Sequence, residues 1–94
     1  MIRHIVFFSL KDRSQTDVVV ADLSRLGDIP GSTTFEVRIN QKADQIGNEI
    51  DIVVYGEFPS LAALRAYKQH PIYEATTRAV RPLRELRFAA DIET

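Results

Sequence analysis

The chain has no cysteine and, among 94 residues, only two histidines and three tyrosines. Without cysteine there can be no disulfide framework, no thiol nucleophile and no thiolate metal site. Such a composition suits a reducing cytoplasm, and a cytoplasmic location is expected. Neither sign of charge dominates: 12 Lys and Arg stand against 13 Asp and Glu, a net charge of −1. That balance provides no general attraction for nucleic acid or an anionic lipid surface, so neither is expected as a partner. No apolar run approaches a membrane span, and the opening Met1-Ile2-Arg3-His4 does not begin a charged region followed by a long apolar one. GxGxxG, GxxxxGK and GxSxG are missing too, which removes the warrant for dinucleotide, triphosphate and hydrolase readings.

What the chain does have is apolar material, 45% of its residues. Ninety-four residues suffice for one domain, 1–94, but a chain this short buries its core only marginally by itself. Small domains of this kind often complete the core by pairing. Residues 2–10 are rich in β-branched and aromatic side chains and predict a strand. Ile2, His4, Val6, Phe8 and Leu10 fall on one face and Ile5 and Phe7 on the other, so both faces are apolar. A polar turn at 11–14 follows, with Ser14 or Thr16 as candidate helix cap. Val19, Leu23 and Leu26 then recur at helical spacing up to Gly27. Residues 33–40 alternate, Phe35, Val37 and Ile39 against Thr34, Glu36 and Arg38, which predicts a strand with one wet face.

A polar loop leads into a second strongly apolar strand, 50–58, with Ile52 and Val54 on one face and Val53 and Tyr55 on the other. Gly56 inside it signals a bulge or the close approach of another group. Pro59-Ser60 ends that strand and offers a cap for a helix whose inner side is Leu61, Leu64 and Tyr67. Pro71 restarts a helical segment that runs to Val80, before Pro82, and residues 85–92 predict a last strand. The order is β-α-β-β-α-β, an α+β, ferredoxin-like arrangement in which helices cover one face of the sheet. Leaving Ile5, Phe7, Val53 and Tyr55 in water would forfeit roughly 1.5–3 kcal/mol for each large side chain and expose an aggregation-prone patch. The expected solution is a homodimer formed through the open sheet face.

The opening Met1-Ile2-Arg3-His4-Ile5-Val6-Phe7-Phe8, Ile29-Pro30-Gly31 with Phe35-Glu36-Val37, Tyr67-x-x-His70-Pro71 and Arg87-Phe88-x-x-Asp91 together resemble the stress-responsive α/β barrel (Dabb) family. The resemblance spans essentially the whole chain. It implies ferredoxin-like subunits that pair into a dimeric α+β barrel, in most bacterial members without an established activity. One branch, a plant polyketide cyclase, closes a linear polyketide by aldol chemistry without a cofactor. By position, that branch's tyrosine corresponds to Tyr67, its early histidine to His4 and its histidine before proline to His70. The place of its catalytic histidine is taken here by Tyr73. Tyrosine, with a reference pKa near ~10, is mainly a hydrogen-bond donor at neutral pH, whereas histidine near ~6.5 can act as a base. Arg38 also departs from the family, which often carries glycine there.

His4, Tyr67, His70 and Tyr73 are therefore the candidate catalytic residues, and each has a plainer reading beside the functional one. His4 can be a polar residue satisfied inside the sheet, His70 a group that fixes the helix corner, and Tyr67 a core residue with a bonded hydroxyl. If the four converge in an apolar pocket, they make a small-ligand site with donors for a carbonyl or phenolic oxygen. A metal site would require both histidines to meet a carboxylate such as Asp51, and no ligand spacing supports it, so neither metal nor cofactor is expected. Arg78, Arg81, Arg84 and Arg87 recur every third residue, but Pro82 interrupts them and Arg84 and Arg87 have opposite parity on a strand. They are expected as solvated or rim charges. Two function classes follow: a dimeric stress-associated domain binding a small apolar or aromatic ligand between sheet and helices, or a cofactor-independent enzyme of polyketide cyclase, lyase or isomerase type. A monooxygenase of the same barrel type resembles the fold but not these motifs.

Overall fold

The two-faced apolar strand at the start of the chain becomes one of the two interior strands of the sheet. In the computed structural model, which describes residues 1–94, β1 (Ile2–Leu10) lies antiparallel between β3 (Ile52–Phe58) and β4 (Arg84–Glu93), and β2 (Thr34–Ile39) pairs with β3 at the other edge. The strand order is β2-β3-β1-β4. Three helices, α1 (Thr16–Ser24), α2 (Leu61–Lys68) and α3 (Pro71–Val80), complete the β-α-β-β-α-β ferredoxin-like plan with its second helix in two pieces. No helix is long and apolar enough to cross a membrane.

Register explains the burial. Ile2, His4, Val6, Phe8 and Leu10 all point toward the helices and are buried, against Ile52, Val54 and Phe58 of β3, which share that face. From above, α1 contributes Val19 and Leu23, α2 Leu64 and Tyr67, and α3 Val80, so these residues form one core. The other sheet face carries Ile5 and Phe7 from β1, Val53 and Tyr55 from β3, and Leu86, Phe88, Ala90 and Ile92 from β4. Nothing in the chain covers them, and Phe7, Leu86, Phe88 and Ile92 are exposed. Charged groups gather toward the β2 edge of the same face, where Arg38 pairs with Glu36 at 3.0 Å and the Tyr55 hydroxyl donates to Glu57 at 2.5 Å.

Several local expectations change. Neither Ser14 nor Thr16 caps α1: a short 3-10 turn at Arg13–Gln15 precedes the helix, and its cap is Asp12, which accepts from the Ser14 N–H at 2.9 Å. Gly27 does not terminate α1 directly, because a second 3-10 turn, Arg25–Asp28, continues from Ser24. A Cβ at Gly27 would come within 3.1 Å of the Phe35 ring. Leu61, expected on the inner side of α2, is 45% exposed, because this eight-residue helix meets the core through Ala63, Leu64 and Tyr67 instead. Ser60 does cap α2, accepting from the Ala63 N–H at 3.1 Å. Gly56 marks a close approach, since a Cβ there would stand 3.0 Å from Cε1 of Phe58.

Asp51 is a structural pin. Its buried carboxylate accepts from the Leu10 N–H at 2.8 Å, Arg13 Nε at 3.0 Å and Lys42 Nζ at 2.7 Å. It thereby ties the end of β1 to the turn before α1 and to the loop between β2 and β3.

Candidate ligand pocket

Four elements bring polar side chains to one apolar pocket beneath the helices. His4 enters from β1, Tyr67 from α2, Tyr73 from α3, and Arg84 and Arg87 from β4. Val6, Phe8, Leu23, Leu26 and Val80 are among its apolar walls. About 370 Å³ of free space lies within the pocket and at its mouth, and about 20 Å³ of that admits the centre of a water molecule. The inner space thus holds about one ordered water, and a larger guest requires the side chains at the mouth to move.

Cross-strand register puts His4 directly opposite Asp91. The His4 Nδ1 lies 2.5 Å from Asp91 Oδ1. A carboxylate only accepts hydrogen bonds, so the proton of this contact sits on Nδ1 and a neutral ring keeps its lone pair on Nε2. His4 is 1% exposed. Burial pulls its pKa below the ordinary value, outweighing the opposite pull of Asp91, and the positive charges of Lys68 and Arg87 add to the lowering. The ring is therefore held neutral and oriented, the form in which an imidazole accepts a proton.

Tyr67 is also 1% exposed and sits within an aromatic cluster, its ring centroid 4.9 Å from Phe58, 5.3 Å from Tyr73 and 6.2 Å from His4. Its hydroxyl has no hydrogen-bond partner in the chain, and neither has His4 Nε2; the only fully sealed side-chain polar atom without a partner is Thr76 Oγ1. For residues so deeply buried, the free space these two atoms still touch is the pocket. Burial, with Tyr73 adding to it, pushes the Tyr67 pKa far up, so the phenol keeps its proton and is a donor.

Tyr73 lines both this pocket and a second groove, larger at about 880 Å³ and mostly polar, on the outside of α3. His70 lines only that outer groove. Its Nδ1 accepts from the Ile72 N–H at 3.1 Å and so caps α3, with Pro71 in the first turn. Of the four sequence candidates the fold brings His4, Tyr67 and Tyr73 together and leaves His70 at the corner. Asp51 lies apart, occupied by Leu10, Arg13 and Lys42, and meets neither histidine.

Three residues named in the sequence take places there that spacing alone does not give them: Asp91 beside His4, and Arg84 and Arg87 in the pocket lining. Asp91 becomes a partner only through register, although its spacing from Arg87 already puts the two on one face of a strand. Arg84 and Arg87 were expected on opposite faces. The register slips between Ser9 and Leu10, so that Leu10 pairs with Arg84 while Ser9 pairs with Leu86, and Glu85 is the extra residue of a bulge. Arg84 and Arg87 consequently share the helix-side face and both line the pocket. Burial, and then the nearby Arg87 and Arg81, pull the Arg84 guanidinium below its ordinary value, though a guanidinium stays charged at neutral pH.

The fold recurs among solved structures. A Dabb family protein with a ferredoxin-like fold from Mesorhizobium loti is 30% identical, with 99% of this chain and 95% of that chain covered and a TM-score of 0.85. A dimeric protein of unknown function and ferredoxin-like fold from Bacteroides fragilis is 26% identical over 99% and 95% of the two chains, with a TM-score of 0.79. The hydroxynitrile lyase of Passiflora edulis, 20% identical over 97% and 90% with a TM-score of 0.79, is similar in fold alone. No curated protein matches the chain. The family model for the stress responsive A/B barrel domain matches residues 2–94, and with that the chain belongs to the Dabb family.

Proposed function

We propose that the protein acts as a homodimer whose subunits each take a small, largely apolar or aromatic molecule into the pocket between sheet and helices. The observation that carries this reading is the Tyr67 hydroxyl, a buried donor without a protein partner that opens onto an apolar pocket beside His4. That hydroxyl has room for one acceptor, either a water or an acceptor oxygen on a guest that displaces it. A second copy of the chain covers Phe7, Leu86, Phe88 and Ile92, the exposed apolar side chains of the open sheet face. The dimeric state of the Bacteroides fragilis relative supports this assembly. A cytoplasmic location belongs to the same reading and rests on the cysteine-free sequence.

The His4–Asp91 contact favours a second reading, a cofactor-independent enzyme of cyclase, lyase or isomerase type. In it Asp91 holds the imidazole, Nε2 of His4 accepts a proton from the substrate, and the Tyr67 phenol donates to the oxygen on which negative charge develops. Tyr73 would act as a second donor in the pocket wall. His70 would support the corner that sets Tyr67 and Tyr73 in place.

Titration of 15N-labelled protein with benzamide and with benzoate tests the binding reading. Either probe should shift amide signals of β1, α2 and α3 around His4, Tyr67 and Thr77 and raise the melting temperature. Thr77→Trp, which fills the pocket from α3, should abolish both effects. Absence of shifts with either probe, or shifts that survive Thr77→Trp, would overturn it.

A further inference from the structure

We infer that Arg84 and Arg87 make the pocket selective for an anionic guest, a small aromatic or similarly compact apolar molecule carrying a carboxylate. This inference rests on the pocket reading above and adds its charge. The two guanidiniums line the same pocket because the Glu85 bulge turns Arg84 onto the face of Arg87. Neither makes a salt bridge, and the nearby carboxylates face other groups: Asp91 meets His4 at 2.5 Å and Glu74 meets Arg78 at 2.6 Å. The pocket thus combines two positive charges that repel one another, an apolar body and no internal counter-ion.

Like charges held close together are unfavourable, here between a half-buried Arg84 and an exposed Arg87 at the mouth, and an anion between them removes the repulsion. Guanidinium presents a planar fork of donors that matches a carboxylate. Its recognition there is therefore directional as well as coulombic. Along β1, the partner of Arg87 is Phe8 and the partner of Asp91 is His4, four residues apart, or about 13 Å of extended strand. Once the side chains at the mouth move aside, a single ring would lie along that span, its carboxylate at Arg84 and Arg87 and its far end toward His4 and Tyr67. Val6, Leu26 and Val80 would pack against the ring.

The test compares benzoate with benzamide, which have nearly the same shape and differ in charge. Calorimetric titration of the wild-type protein should give an affinity at least tenfold higher for benzoate, a preference that shrinks as salt is added. In Arg84→Gln/Arg87→Gln the ratio of benzoate to benzamide affinity should fall to within about twofold, and Thr77→Trp should remove binding of both. Equal affinity of the wild-type protein for the two probes, with loss of both in Thr77→Trp, would overturn the charge selectivity and leave the pocket reading standing. Benzoate binding that survives Thr77→Trp would reduce the arginines to a surface anion site and overturn the inference. Failure of both probes to bind at all would overturn the pocket reading and this inference with it.

Discussion

Replacing Phe88 by glutamate should turn the proposed homodimer into a monomer without unfolding the subunit. Phe88 stands on the open sheet face and is 56% exposed. An aromatic side chain of about 200 Å² therefore leaves about 110 Å² for a partner to cover, and at about 25 cal/mol per Å² this contributes about 2.8 kcal/mol per subunit. In a two-fold assembly each substitution acts twice, giving an upper value of about 5.5 kcal/mol for the interface. If only half of that area is covered, the loss still weakens association about a hundredfold. A glutamate adds the cost of desolvating its charge, so the true effect lies above this figure. Val18 supplies the control: it is 54% exposed but sits on α1, on the other side of the molecule. Sedimentation velocity at micromolar concentration should find wild type and Val18→Glu dimeric and Phe88→Glu monomeric, with all three showing the same far-UV circular dichroism. A Phe88→Glu protein as dimeric as wild type, or a monomeric wild type, would refute the assignment of the open face to a second copy.

Asp51→Ala should destabilise the subunit by about 2–3 kcal/mol in urea unfolding, because the buried Leu10 N–H loses a charged acceptor while Arg13, which is largely exposed, finds water again. An effect below about 0.5 kcal/mol would show that Asp51 is no pin. Burial pushes the Asp51 pKa up, but Lys42, the Leu10 N–H and Arg13 together hold it below the ordinary carboxylate value, so its stabilisation is present at neutral pH and disappears as pH falls through that lowered value. His4 has the opposite chemistry and the same direction of pH dependence. With its folded pKa lowered, the unfolded chain binds the extra proton first, so this part of the stability is complete above about 6.5 and declines as pH drops below it. Following the His4 ring proton by NMR should give a midpoint below that of a model histidine, and His4→Gln should flatten the corresponding slope of stability against pH. A His4 ring that titrates above 7 would contradict the dominance of burial.

How much of this could be seen in the sequence depended on the distance over which each feature is encoded. Strand and helix order was legible because alternation and helical spacing are local: residues 2–10 and 52–58 show two apolar faces, and Leu64 and Tyr67 share a helical stripe. The helix corner was legible for the same reason, since His70 caps α3 through an N–H only two residues away. Scarcity pointed to His4 and Tyr67, which the pocket uses. Local rules misled where a short insertion changed phase. Parity alone separates Arg84 from Arg87, yet the single extra residue Glu85 reverses the face of everything before it.

The sequence by itself therefore determined the ferredoxin-like order of elements, the apolar surplus on both sides of the central strand and the family, because all three reside in residue types and their spacing. Only the tertiary structure decided that His4 meets Asp91, that the Tyr67 hydroxyl faces free space and that two arginines share a pocket. Those contacts join residues far apart along the chain, and they exist only once strand register and helix docking have set which side chains lie opposite one another.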